Sequence, residues 1–218
     1  MKKNHTIFTV FLLSIFTLFI GCKKDLETPI PPPPPVKQML THTLNAESII
    51  APGGSIAQSN LTFLNLYEGI AYAKVDADFN SSKVDFAYNY KGAGCPTCRF
   101  FENVTNMSTR TNYVHSFSTL TNSKIRNVEQ HNAISLVDFD ALKNGTEIEN
   151  LFNSKLDIAS FTGIADITDR VTDVSQGRVF AFIDKSGRKG FFKIADYLAN
   201  VPSGDKATLQ LTVKIVKD

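Results

Sequence analysis

The last ten residues set the tightest constraint on the fold. Leu209, Leu211, Val213 and Ile215 alternate with Gln210, Thr212 and Lys214. A period of two is the signature of a β-strand with one face in a core and one facing water. A helix would scatter those four apolar side chains around its circumference. The chain therefore needs a sheet, and a second layer to cover that sheet's apolar face.

Upstream segments supply the remaining strands. Val179 to Ile183 is apolar at every position, which predicts a central strand buried on both faces. Asp184-Lys185-Ser186-Gly187 reads as a turn, and Phe191 to Tyr197 as the returning strand. Asn60 to Leu66, Ile70 to Lys74 and Lys83 to Tyr90 read as further strands. The last of these would set Val84, Phe86, Tyr88 and Tyr90 on one face. Asp76 to Asn80 is expected to be a turn or one helical turn. Two short helices are predicted in between. Ser135 with Asp138 forms a capping-box pattern, with Phe139 and Leu142 following and Gly145 as the stop. Thr146 with Glu149 forms a second box ahead of Leu151 and Phe152. The expected fold is mainly β, a β-sandwich or barrel-like antiparallel sheet with a short helical crossover. No repeat of 20–50 residues is visible.

The N-terminus is of another kind. Lys2 and Lys3 precede an apolar run from Ile7 to Ile20, too short for the roughly 20 residues of a membrane-spanning helix. A positive start, a short apolar stretch and small residues at a cleavage point define a secretory signal. Leu18-Phe19-Ile20-Gly21-Cys22 resembles the lipobox of bacterial lipoproteins, in which the peptide is cut before the cysteine and the thiol is acylated. The resemblance implies a signal peptide over residues 1–21 and a covalent lipid on Cys22. The lipid membrane is then the first partner, with palmitate-type acyl chains adding about 0.8 kcal/mol per buried methylene. Lys23 to Glu27 resembles the export signals of surface lipoproteins of the Bacteroidota, which implies the outer membrane or cell surface. Pro29 and Pro31 to Pro35 then predict a stiff polyproline spacer, part of a tether over residues 22–38. Residues 39–218 are left for the globular domain.

Composition narrows the function classes. Net charge is +2 over 218 residues with the basic residues scattered, so no basic stripe for nucleic acid is present. The chain contains no Gly-X-Ser-X-Gly, no His-Glu-X-X-His and no Walker loop. Ser186 to Lys189 matches Ser-X-X-Lys by letter but falls in the predicted turn. The pairs Asp76/Asp78 and Asp138/Asp140 sit where capping explains an aspartate. No catalytic residue is assigned, and the domain is expected to be non-enzymatic.

With Cys22 acylated, Cys95 and Cys98 remain as an even pair in Cys95-Pro96-Thr97-Cys98. A structural disulfide is one reading. A redox pair at a helix start is a second. Free thiols or metal ligands are a third, although zinc would then need His115 and His131, 16 residues apart.

Leu66-Tyr67-Glu68-Gly69-Ile70-Ala71-Tyr72 and Ser82-Lys83-Val84-Asp85-Phe86-Ala87-Tyr88 resemble phrases of uncharacterised Bacteroidota surface lipoproteins. So does Gly177-Arg178-Val179-Phe180-Ala181-Phe182 with Gly187, Gly190, Phe191 and Lys193. A more distant likeness, in β-rich build and strand phrases, is to the HmuY-type haem-binding lipoproteins. It implies haem as a conceivable cofactor, with His115, His131 or Met107 as candidate ligands. No histidine of this chain aligns with that family's ligand pair.

Overall fold

The computed structural model describes residues 31–48, 61–90, 99–107, 117–128, 133–166, 177–198 and 207–218. The chain divides into two units, Met1–Pro35 and Val36–Asp218. Within the first, residues 31–35 are exposed and carry no regular structure. All elements below belong to the second.

Ten strands form two five-stranded antiparallel sheets. One contains β1 (Met39–Ser48), β10 (Ala207–Val216), β9 (Lys189–Leu198), β8 (Val179–Ile183) and β6 (Lys124–Asn127), in that spatial order. The other contains β3 (Ile70–Tyr72), β2 (Phe63–Asn65), β4 (Phe86–Tyr90), β5 (Arg99–Asn103) and β7 (Ile164–Asp166). The sheets stack as a sandwich and do not close into a barrel.

The core between them follows from side-chain parity. Leu209, Leu211, Val213 and Ile215 of β10 enter it together with Leu44 and Ala46 of β1. Phe180 and Phe182 of β8 and Phe192 of β9 meet Phe86, Tyr88 and Phe101 from the facing sheet. Phe101 packs edge-on against Phe180 at 5.7 Å and Phe192 at 4.9 Å, so one ring of the second sheet engages two strands of the first. Aromatic pairs in this geometry add about 0.5–1.5 kcal/mol beyond their area.

The opposite parity explains why β8 is apolar throughout. Val179 and Ala181 face outward beneath helices α3 (Leu136–Ala141) and α4 (Gly145–Lys155), with Phe191, Phe139, Ile148 and Phe152 in the same cluster. The second sheet is covered on its outer face as well. Ala77 of α1 (Lys74–Phe79), Val104 of α2 (Val104–Met107) and Phe117 pack on Phe63 and Ala87. Val84 belongs to that outer cluster, because the strand begins only at Phe86. It does not share a face with Phe86 and Tyr88, as the alternation suggested.

The β8–β9 turn forms where expected. The Gly187 N–H donates to the Asp184 carbonyl at 3.0 Å, and Gly187 has φ +85°, the left-handed position that ends a type I turn in a hairpin. Helix α3 has the expected box, with Ser135 Oγ accepting from the Asp138 N–H at 3.2 Å and Asp138 accepting from the Ser135 N–H at 2.8 Å. The Ser135 N–H and hydroxyl, both donating to Asp138 Oδ2, hold its carboxyl below the ordinary pKa.

Helix α4 departs from the sequence reading. Its N-cap is Asn144, whose Oδ1 accepts from the Glu147 N–H at 2.9 Å, and Gly145 opens the helix instead of stopping the preceding one. Thr146 and Glu149 instead receive the start of the domain: Lys37 donates its N–H to Thr146 Oγ1 at 2.8 Å and its ammonium to Glu149 at 2.6 Å. Cap chemistry fits Asn144 as well as Thr146, and the long-range docking of Lys37 uses up the threonine. Lys214, on the outer face of β10, lies over the Phe139 ring and donates to the carbonyls of Phe139 at 2.9 Å and Leu142 at 2.9 Å. It adds a donor to the Phe139 carbonyl, which also accepts from the Leu142 N–H, and supplies one to the Leu142 carbonyl.

Removing the ring that joins three strands across the core should be costly. Phe192→Ala is expected to lower unfolding free energy by about 3–5 kcal/mol. Urea denaturation of the two proteins side by side measures it. Lys214→Met keeps the stem over Phe139 and loses only the donors, so a cost of about 1–3 kcal/mol is expected in the same assay.

Candidate functional site

A set of buried polar groups lies where the β8–β9 turn meets the opposite sheet. Asp85, immediately before β4, is fully buried. Its Oδ2 accepts from the Leu66 N–H at 3.0 Å. Its Oδ1 accepts from Ser123 Oγ at 2.9 Å and from the Lys185 N–H at 3.2 Å. One carboxylate thus holds the chain after β2, the chain before β6 and the β8–β9 turn. Burial raises the Asp85 pKa above the ordinary carboxylate value, and the Lys185 charge offsets part of that rise. Burial also lowers the pKa of Lys185, against the pull of Asp85 and Asp184. Lys185 Nζ donates to the Lys83 carbonyl.

Asp184 completes the turn. Its Oδ1 accepts from the N–H groups of Ser186 at 2.8 Å and Arg188 at 2.9 Å. Its Oδ2 meets Arg188 Nε at 2.6 Å, with no exposure on the aspartate side chain. The Arg188 guanidinium stacks 3.4 Å from the Tyr67 ring centroid and reaches Asp218 at 2.9 Å. Arginine suits this position because its planar fork can stack and pair at once. Every carboxylate oxygen of Asp85 and Asp184 accepts a bond from the protein. The arrangement welds turn to sheet.

Three of the four aspartates weighed from the sequence have ion-pair or capping partners, and α1 starts without a side-chain cap. Asp78 pairs with Lys74, Asp138 caps α3, and Asp140 meets Lys193 at 2.6 Å. Ser186 lies in the β8–β9 turn, not at a helix start, with its hydroxyl 3.4 Å from the Arg188 guanidinium. Among the described residues, no group of three or more His, Cys, Asp or Glu side chains is gathered to hold a metal.

Cys22, Cys95, Cys98, His115 and His131 lie outside the described residues, and so does the side chain of Met107, the last residue of α2. The flanks of the cysteine pair are described. Tyr90 and Arg99 face each other in the β4–β5 ladder, and the residues that follow Cys98 form strand β5. A redox cysteine pair relies on a helix N-terminus just after it to lower the thiol pKa. After Cys98 the described chain runs directly into β5.

Asp85 was the residue that sequence reasoning passed over. Alternation with Val84, Phe86 and Tyr88 assigns it to the solvent face, so no local signal marked its burial.

No family model, no curated protein and no solved structure matches this chain.

Because Asp85 holds its proton to higher pH when folded, the native state binds more protons than the unfolded chain between about pH 4 and its folded pKa. Stability contributed by Asp85 therefore falls as pH rises through that window and is level above it. Urea midpoints of wild type and Asp85→Asn, taken at steps from pH 4 to 8, should show the wild-type advantage shrinking with pH. A difference that grew with pH would contradict the assignment.

Proposed function

We propose that this chain is a cell-envelope lipoprotein, held on the outer membrane or cell surface by lipid on Cys22. It presents a non-enzymatic β-sandwich for binding or for envelope structure. The observation that carries the reading is the order of features along the chain. A short apolar leader ends in Gly21-Cys22, prolines follow through Pro35, and the first strand opens at Met39. An acylated cysteine needs a spacer between bilayer and domain, and residues 22–38 supply one. The structural use of Asp85 and Asp184, each accepting three bonds from the protein, supports a domain that works through its surfaces.

Cys95 and Cys98 fit a structural disulfide in this reading. They fall between strands already paired at Tyr90 and Arg99, and an envelope compartment is oxidising. No described observation favours haem binding.

Expression in a bacterial host fed an alkyne analogue of palmitate tests the anchor. Label should enter the wild-type chain, and Cys22→Ser should lose it and keep its leader. Label persisting in the variant would refute the proposal. For the cysteine pair, titration against a glutathione redox series should give a potential below about −300 mV, as structural disulfides do.

A further inference from the structure

The outer edge of the first sheet contains an open segment with defined limits. Strand β1 pairs with β10 over ten consecutive positions without a bulge. In an antiparallel strand, the main-chain groups of successive residues point to alternate sides. The Lys217 N–H donates to the Gln38 carbonyl at 3.0 Å, so even-numbered residues face β10 and odd-numbered ones face outward.

Both ends of that outward edge are closed by the protein itself. At Lys37, the carbonyl accepts from the Gly145 N–H at 2.8 Å and the N–H donates to Thr146 Oγ1. At Glu47, the N–H donates to the Leu61 carbonyl at 2.9 Å and the carbonyl accepts from Thr62 Oγ1 at 2.8 Å. Between the clamps, the outward main-chain groups of Met39, Thr41, Thr43 and Asn45 have no hydrogen-bond partner among the described residues. The side chains of Thr41, Thr43 and Asn45 are exposed.

Natural sheets usually protect such an edge with lysine, proline, a bulge or a covering segment. Residues 39–45, Met-Leu-Thr-His-Thr-Leu-Asn, contain neither lysine nor proline, and the β1–β10 register is unbroken. A free ladder of this kind accepts an extended peptide as an added strand.

We propose that residues 39–45 of β1 are a docking edge for an extended, uncharged segment of about seven residues from another protein. Three features fix the occupant. The clamps at Lys37 and Glu47 limit the length. A second copy of this chain fits poorly, because its own clamped ends would run into the strip that Leu61 and Gly145 already fill. The segment 39–45 carries no Lys, Arg, Asp or Glu, so a charged guest side chain on the inward face would be desolvated without a counter-charge.

Parity then sets the guest's pattern. Guest residues opposite Thr41, Thr43 and Asn45 share their solvent face and suit threonine or serine. Those opposite Leu40, His42 and Leu44 share the inward face, beside Tyr67 and Ala71 of the second sheet, and suit valine or isoleucine. Gly69, at φ +68°, keeps that border tight: a Cβ there would stand 2.6 Å from the His42 ring. The surface is independent of how the chain is held at a membrane.

The test uses the full chain in mild detergent and a fluorescein-labelled probe, acetyl-Thr-Val-Thr-Val-Thr-Val-Thr-amide. Anisotropy should show saturable binding. N-methylation of the two central threonines removes the N–H groups that face β1 and should weaken binding at least about tenfold. Thr43→Pro removes an outward N–H that the fold does not use, and should weaken the unmodified probe similarly while leaving the thermal melt in place. If that variant unfolds, the methylated probe still decides the matter. Three results would overturn the proposal: no saturation up to about 1 mM probe, equal binding of the methylated probe, or a dimer of this chain that the probe does not dissociate.

Discussion

The contact of Phe101 with Phe180 and Phe192 is the constraint on which the two-sheet arrangement rests. Phe101 comes from the middle of β5, and its partners come from adjacent strands of the opposite sheet. A strand that places a ring between two others cannot slide by one residue, because a one-residue slip would send the ring to the outer face. The register of β4 with β5 follows from this contact, and so does the extended path of the chain after Cys98.

Hydrophobic packing leaves the polar ends of the sandwich to be joined. Asp85 does this from inside, taking donors from three separate segments, and Asp184 with Arg188 does it from the turn. A buried carboxylate is tolerable only when its oxygens are hydrogen-bonded. Asp85 meets that condition with main-chain and hydroxyl donors. Its raised pKa reflects the cost that remains. The same economy appears at Lys214, where one ammonium closes the carbonyls at the end of α3 and its stem covers Phe139.

Legibility varied with the range of the interaction. The alternation in β10, the two-faced apolar run of β8, the turn at Gly187 and the cap at Ser135 are local patterns, and each stands where its residues pointed. The cap of α4 did not. Asn144 and Thr146 are equally good caps by local chemistry, and Lys37, more than a hundred positions away, claims the threonine. Val84 broke the apparent alternation of its strand because a 3-10 turn at Ser81–Lys83 precedes β4 and rotates Val84 outward. The site followed the same rule: Asp184 was visible as a turn residue, whereas the partners of Asp85 come from segments far apart in sequence.

The sequence by itself determined that the domain is a layered antiparallel β structure, because period-two alternation and turn chemistry are properties of neighbouring residues. It also carries the short apolar run ending in Gly21-Cys22 and the proline run after it, on which the proposed leader, lipid site and spacer rest. Only the tertiary structure decided between sandwich and barrel, placed a helical layer on each sheet, and turned Asp85 from one letter in a strand into a junction. It also left the β1 edge without a main-chain partner among the described residues, between two clamps. Those outcomes depend on which segments meet across the core, and no local pattern encodes that meeting.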